Sequence, residues 1–197
     1  HRGGLVVPWG GRWLAQVALD GELPTGKVTL LWGATTLIGT VDPLSAGIWQ
    51  GEARATVIGG HGWSKILPAL WLQNDAGLLG GAVAQQAAQL ASETLVAPAT
   101  AFRALRVSYS RPRRLASATL TDVLAADAGW WVEFDGTTKA GVRPSLAAPA
   151  RVDILELEPS DGVSEIDADD PGQVLVGSVI AALPPRRPSA YRIVEVQ

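Results

Sequence analysis

Cysteine and methionine are both absent from this 197-residue chain, and histidine occurs only as His1 and His61. Zero cysteine excludes disulfides, thiolate nucleophiles and thiolate metal sites. Two histidines cannot build a multi-histidine metal centre within one chain. Phe and Tyr are scarce, with 2 of each. No run of about 20 apolar residues occurs, so no helix is expected to cross a bilayer. The most apolar helical stretch, 82–97, is broken by Gln85, Gln86, Gln89 and Glu93. No secretory signal pattern stands at the start. The opening at His1 and the lack of Met suggest a processed, trimmed or fragment sequence.

Against these absences stand 47% hydrophobic residues, 22 Gly, 13 Pro and 8 Trp, with a net charge of -3. Such apolar content at so low a charge excludes a disordered chain. The length suffices to bury a core, as one domain or two small ones. A soft boundary near Pro98 predicts a β-rich unit at 1–98 that ends in a helix, and an α+β unit at 99–197.

Short runs between Gly and Pro turns predict most of the strands. Residues 5–8 read as an extended arm. Strands are predicted at 13–19, 27–32, 36–41 and 49–58, with Ala53, Ala55 and Val57 on one face of the last. Residues 66–72, with Pro68 inside, follow the glycine-rich turn 59–64, read as flexible backbone around the anchor Trp63. The best helix spans 81–95, with Val83, Ala87, Leu90, Ala91 and Thr94 on one small-residue stripe and Pro98 as its stop. A shorter helix is predicted over 120–128, capped by Thr119, with Asp122 in the capping-box position and an apolar face of Leu120, Val123 and Leu124. Strands at 102–108, 130–134, 151–157, 173–183 and 191–196 complete the pattern. Val152, Ile154 and Glu156 fall on one face of the third, and Asp135-Gly136 signals a hairpin. Strands, helix, strand, helix, strands is not a doubly wound order. The fold class is α+β, mainly β, with small barrel-like antiparallel sheets and two helices.

Catalytic motifs are missing: no phosphate loop, no Gly-x-Ser-x-Gly elbow and no His-Glu-x-x-His. His61 beside Ser64 lacks an orienting carboxylate at recognisable spacing, so a turn is the better reading. No catalytic, cofactor-binding or metal residue is assigned, and no cofactor. Eight acidic residues and no basic one fall between Val152 and Pro185. The part at 153–170 reads as a solvated acidic segment, with a cation site or a docking surface for a basic partner as alternatives. Arg111, Arg113 and Arg114 beside Tyr109 form a basic turn. Without a wider basic stripe they do not make a dedicated nucleic-acid binder. The Trp surplus points to half-buried packing anchors and subunit contacts.

Residues 22–41 (ELPTGKVTLLWGATTLIGTV) and 51–77 (GEARATVIGGHGWSKILPALWLQNDAG) lead into a small-residue helix ending Ser92-Glu93-Thr94. Together with Trp130-Trp131, Asp135-Gly136 and the closing PGQVLVGSVIAAL run, they resemble tailed-bacteriophage (prophage) baseplate hub or tail proteins of the late-control or 43 kDa tail protein type. The resemblance implies a structural virion protein without a catalytic centre, assembled in the host bacterial cytoplasm. It implies a homo-oligomeric ring, a trimer, at the end of the tail tube, with tube and spike proteins as partners and DNA passing through. It also makes Trp49, Trp63, Trp71, Trp130 and Trp131 core or interface anchors. No membrane partner and no specific nucleic-acid binding are implied. The alternatives are a carbohydrate-binding module, prompted by the Trp count, and a small hydrolase using paired carboxylates.

Overall fold

The computed structural model describes residues 2–8, 10–19, 21–22, 24–32 and 35–144, and beyond them 146–147, 152–158, 163–168, 178–181, 190–192 and 195–196. The first six strands are β1 (Arg2–Pro8), β2 (Leu14–Leu19), β3 (Lys27–Trp32), β4 (Thr35–Val41), β5 (Gly47–Trp49) and β6 (Glu52–Ile58). They form one antiparallel sheet with Glu195–Val196, in the order 195–196, β1, β2, β6, β4, β3, with β5 added beside β6. Alternation sets its inner face: Leu37 and Val41 of β4 and Ala53, Ala55 and Val57 of β6 are buried.

The α+β, mainly β character with two helices is observed; the barrel-like part of the expectation is not. Closure needs the first and last strands of a sheet to meet with a consistent stagger. Here, among the described residues, the path runs open from Glu195–Val196 to β3, which pairs only with β4. The reason lies in β4, which pairs with β6 only at Thr40↔Ile58 and Val41↔Val57. The rest of the β3–β4 hairpin swings away, and Ile38 N–H donates to Phe134 O at 2.7 Å. The vacated edge of β6 is taken by β5. The predicted strand at 49–58 is accordingly two strands. Gln50 and Gly51 both have positive φ, 52° and 81°, the signature of a tight two-residue hairpin turn.

Beyond the sheet, His61–Ser64 is one turn of 3₁₀ helix. A long two-stranded ribbon follows. Ile66–Leu67, Leu70–Gln73 and Leu78–Leu79 pair antiparallel with Arg114–Leu115, Ser108–Arg111 and Ala104–Leu105. One register holds from Ile66↔Leu115 to Gln73↔Ser108. It shifts by two residues at the turn 74–77, before Leu78↔Leu105. The gap at Pro68 is where proline has no N–H to give.

Helix α1 is Gly80–Ala91, four residues shorter at its end than predicted. Ser92 stops it in the left-handed region at φ 60°, and its N–H closes on Ala88 O and Gln89 O. The buried stripe is Gly80, Val83, Ala84, Ala87, Ala88 and Ala91; Leu90 is exposed and Thr94 lies past the helix. Helix α2 is Ala116–Val123, starting before the predicted cap. Ala116 N–H donates to Lys65 O at 2.8 Å, so the ribbon runs straight into the helix. Thr119 sits inside, its hydroxyl donating to Leu115 O at 3.3 Å. The two helices pack together. The small side chains of α1 let α2 approach closely, burying Leu120 and Val123.

A third sheet pairs Gly129–Val132 with Thr138–Gly141, and adds Leu95–Val96 parallel to the latter. The Asp135-Gly136 turn joins its hairpin: Thr137 N–H donates to Asp135 Oδ1 at 2.7 Å, and Gly136 has φ 84°. The predicted strand at 173–183 is described only as Ser178–Ala181.

Trp13 ties this third sheet to the first. Its indole N–H donates to Glu133 O at 3.2 Å, and its ring meets Phe134 edge-on with centroids 6.4 Å apart. The glycines beneath it serve close approach. A Cβ on Gly39 would lie 2.7 Å from the Trp13 ring and 2.7 Å from Val57, and one on Gly59 would enter the indole. Gly59→Ala should cost about 1–3 kcal/mol by overpacking. Gly47→Ala, with nothing within 4 Å of the added carbon, should stay within about 0.5 kcal/mol. Urea titration of the two variants checks the contrast.

Candidate functional site

The predicted anchors fall into two groups. Trp63 and Trp131 are buried and Trp130 is half-buried, whereas Trp49 and Trp71 are exposed. Trp63 donates to Thr138 Oγ1 at 2.7 Å, and Trp130 stacks on it obliquely with centroids 5.7 Å apart. Trp130 donates to Thr121 Oγ1 at 3.1 Å, linking the third sheet to α2. Trp131 donates to Glu133 Oε1 at 2.7 Å, and the Arg143 guanidinium sits 5.3 Å from its ring centre. These three Trp join elements within the chain. Trp49 closes the tip of the β5–β6 hairpin, opposite Glu52.

Trp71 belongs to the outer face of the ribbon. Leu67, Tyr109 and Arg111 are buried underneath, the alternation changing phase across residues 68–69. The outer positions are Ile66 opposite Leu115, Trp71 opposite Ser110, Gln73 opposite Ser108, and Leu79 opposite Ala104. Trp71 is 65% exposed and Leu79 71%, and Ile66 and Leu115 are exposed beside them. Four exposed apolar side chains thus stand along this surface element, with Ser110, Gln73 and Ser108 between them. Sequence reasoning singled out Trp71 alone here. Pro68 and the 74–77 turn interrupt the alternation that would have revealed Ile66, Leu79 and Leu115.

The predicted basic turn is dispersed. Arg111 lies under the ribbon and donates from Nε and Nη2 to Pro68 O at 3.2 and 3.0 Å, serving the carbonyl at the proline gap. Burial lowers its pKa. Arg114 donates to Asp122 Oδ2 at 2.6 Å and to the Tyr109 hydroxyl at 3.1 Å, and Tyr109 donates to Asp122 at 3.0 Å. Arg103 pairs with Asp122 Oδ1 at 3.3 Å. Asp122, predicted as a capping residue, instead clamps α2 to the ribbon. Burial pushes its pKa up, but the bonds from Arg114 and Tyr109 and the charge of Arg103 outweigh this and hold it below the usual range. Arg113, with Arg106, remains exposed.

The glycine-rich turn is a packed junction rather than a flexible one. Glu93 Oε1 accepts the Gly62 N–H at 2.6 Å, and Lys65 donates to the α1 carbonyl of Leu90 at 2.6 Å. A Cβ on Gly62 would strike Ala91 O. Ser64 Oγ accepts a hydrogen bond from the Arg12 guanidinium. Burial raises the Glu93 pKa, against the lowering by the Gly62 bond, Lys27 and Arg12. Among the described residues no group of three or more His, Cys, Asp or Glu gathers to hold a metal. None of their helices is long and apolar enough to cross a membrane.

No family model matches the chain, and no curated protein matches it in sequence. Several solved structures align with it, two of them tail proteins. The tail protein from Neisseria meningitidis MC58 is 14% identical at a TM-score of 0.48, over 88% of this chain and 64% of that one. The prophage MuSo2 43 kDa tail protein from Shewanella oneidensis is 10% identical at 0.47, over 77% of this chain and 55% of that one. The chain thus spans less than two thirds of the length of either structure.

Both shifted carboxyls make pH-dependent predictions. The native pKa of Glu93 is raised, so the folded state holds more protons and stability falls as pH climbs from the ordinary glutamate value through the native one. Glu93→Gln should flatten that fall while keeping an acceptor for Gly62. The native pKa of Asp122 is depressed, so its contribution is full above the ordinary aspartate value and is lost as pH drops through the native one. Asp122→Asn should cost about 1–2 kcal/mol at pH 7, discounted for partial exposure, and little in strong acid. Urea midpoints across pH 3 to 8 for both variants check the opposite slopes.

Proposed function

We propose that this chain is a structural assembly protein of a phage tail, acting as a homo-oligomer in a ring at the end of the tail tube. The observation that carries an assembly role is the apolar outer face of the ribbon. Ile66, Trp71, Leu79 and Leu115 stand exposed on a backbone fixed by α1, α2 and the Asp122 clamp. Solvent-exposed side chains of this kind contribute nothing to the fold beneath them, but they suit the buried centre of a subunit interface. The tail context rests on the sequence resemblance of residues 22–95. In this reading the ring is a trimer, tube and spike proteins are its neighbours, and the role is structural rather than catalytic. A sugar-stacking platform would need a row of exposed Trp on one sheet face. Trp49 and Trp71 occupy separate sheets.

Sedimentation velocity and electron microscopy test the reading. The chain should associate with rising concentration into ring-sized particles. Ile66→Ser with Leu115→Ser should abolish that association while moving stability by no more than about 1 kcal/mol, as surface substitutions do. A chain that stays monomeric at high concentration, with no ring in the presence of tube and spike proteins, sinks the proposal.

A further inference from the structure

A second group of exposed apolar side chains stands on the first sheet, around β5. Leu44 is 95% exposed, Ile48 72% and Trp49 63%. Leu44 belongs to the turn 43–45 that leads into β5. That turn is held to β6: Asp42 N–H donates to Thr56 O at 2.8 Å, and Thr56 N–H donates to Ser45 Oγ at 2.9 Å. The register sets Ile48 opposite Ala53 and Trp49 opposite Glu52, so one apolar side chain projects on each side of the β5–β6 hairpin. Among the described residues β5 pairs with β6 alone. Its sequence, Gly-Ile-Trp, has no lysine, other charge or proline, the devices that keep an open edge strand from meeting another chain.

This group and the four apolar side chains of the ribbon match in size. Covering Leu44, Ile48 and Trp49 removes roughly 450 Å² from water, and covering Ile66, Trp71, Leu79 and Leu115 removes about as much. With a polar rim in the usual proportion, the two together make a contact of roughly 1,500 Å², the ordinary size of a stable interface. The rims also differ in sign. Between Val41 and Ala53 the sequence has Asp42 and Glu52 and no basic residue, although Arg54 shares Glu52 at 2.9 Å. Arg106 and Arg113 are exposed on the ribbon segment.

We infer that the β5–β6 hairpin of one copy, with Leu44, Ile48 and Trp49, docks on the outer face of the ribbon of a second copy. The inference rests on the ring reading above and names the contact that builds it. A ribbon-to-ribbon contact buries a similar area, but it closes on two copies and leaves the hairpin in water. Hairpin on ribbon is head-to-tail, the geometry that generates a ring when its rotation closes. It covers both exposed groups of every copy at once. Each copy meets its neighbour with an element already fixed within its own fold, so little ordering is required on contact.

Mixing two variants of the whole chain tests this by sedimentation velocity. Leu44→Ser with Trp49→Ser should weaken self-association at least about tenfold, as should Ile66→Ser with Leu115→Ser. Urea midpoints close to that of the unaltered chain check that both variants are folded. An equimolar mixture should form a one-to-one dimer and nothing larger. The intact hairpin of the ribbon variant meets the intact ribbon of the hairpin variant, and neither product can extend. If the hairpin variant assembles like the unaltered chain while the ribbon variant does not, the inference is overturned and the ring reading stands. A mixture that stays monomeric shows that the two surfaces are not partners. If the hairpin substitutions leave self-association intact but abolish binding of a tube protein, the hairpin serves that partner and the inference is wrong. An unaltered chain that never associates overturns the ring reading as well.

Discussion

The Trp13 indole, pressed between two glycines, is the contact on which the arrangement of sheets depends. Gly39 of β4 and Gly59 after β6 leave room for its ring, and its N–H reaches across to the third sheet. Around that point β4 leaves β6, turns outward and meets the 133–134 segment. The point where the first sheet opens and the seat of the third sheet thus meet at one side chain. Indole suits the position because it offers a large apolar body and one directed donor.

What could be read in the sequence was local. The KVTLLW strand, the buried face of Ala53, Ala55 and Val57 and the Asp135-Gly136 hairpin each follow from a few adjacent residues. What could not be read depended on distant partners. Nothing in Ser92 marks it for the left-handed conformation that ends α1, since glycine is the usual residue there. The start of α2 is fixed by Lys65, not by the Thr119 signal nearby. Gly59 and Gly62 were visible as glycines, but their role as close-approach sites depends on Trp13 and the end of α1. Of the candidate surface, the arginines were legible as a group. Their division into a buried member, a clamped member and an exposed one was not, because Pro68 and Asp122 impose it.

Charge in this protein is sorted by place more than by amount. The small net charge of -3 conceals an arginine-rich ribbon and an acid-rich segment much further along the chain. Asp122 of α2 is shared between two of the ribbon's arginines, Arg103 and Arg114, and the Pro68 carbonyl occupies a third. Arg106 and Arg113 remain exposed.

The ribbon also shapes how the chain reaches its fold. Gly80 and Arg103 are hydrogen-bonded neighbours at its far end, so α1 and the residues after it form a closed excursion. Once that loop shuts, each pairing back toward Lys65 and Ala116 extends an existing ladder and needs no new loop closure. The loop-closure cost thus falls on the pair nearest in sequence, and the pairs further along the same ladder add little to it.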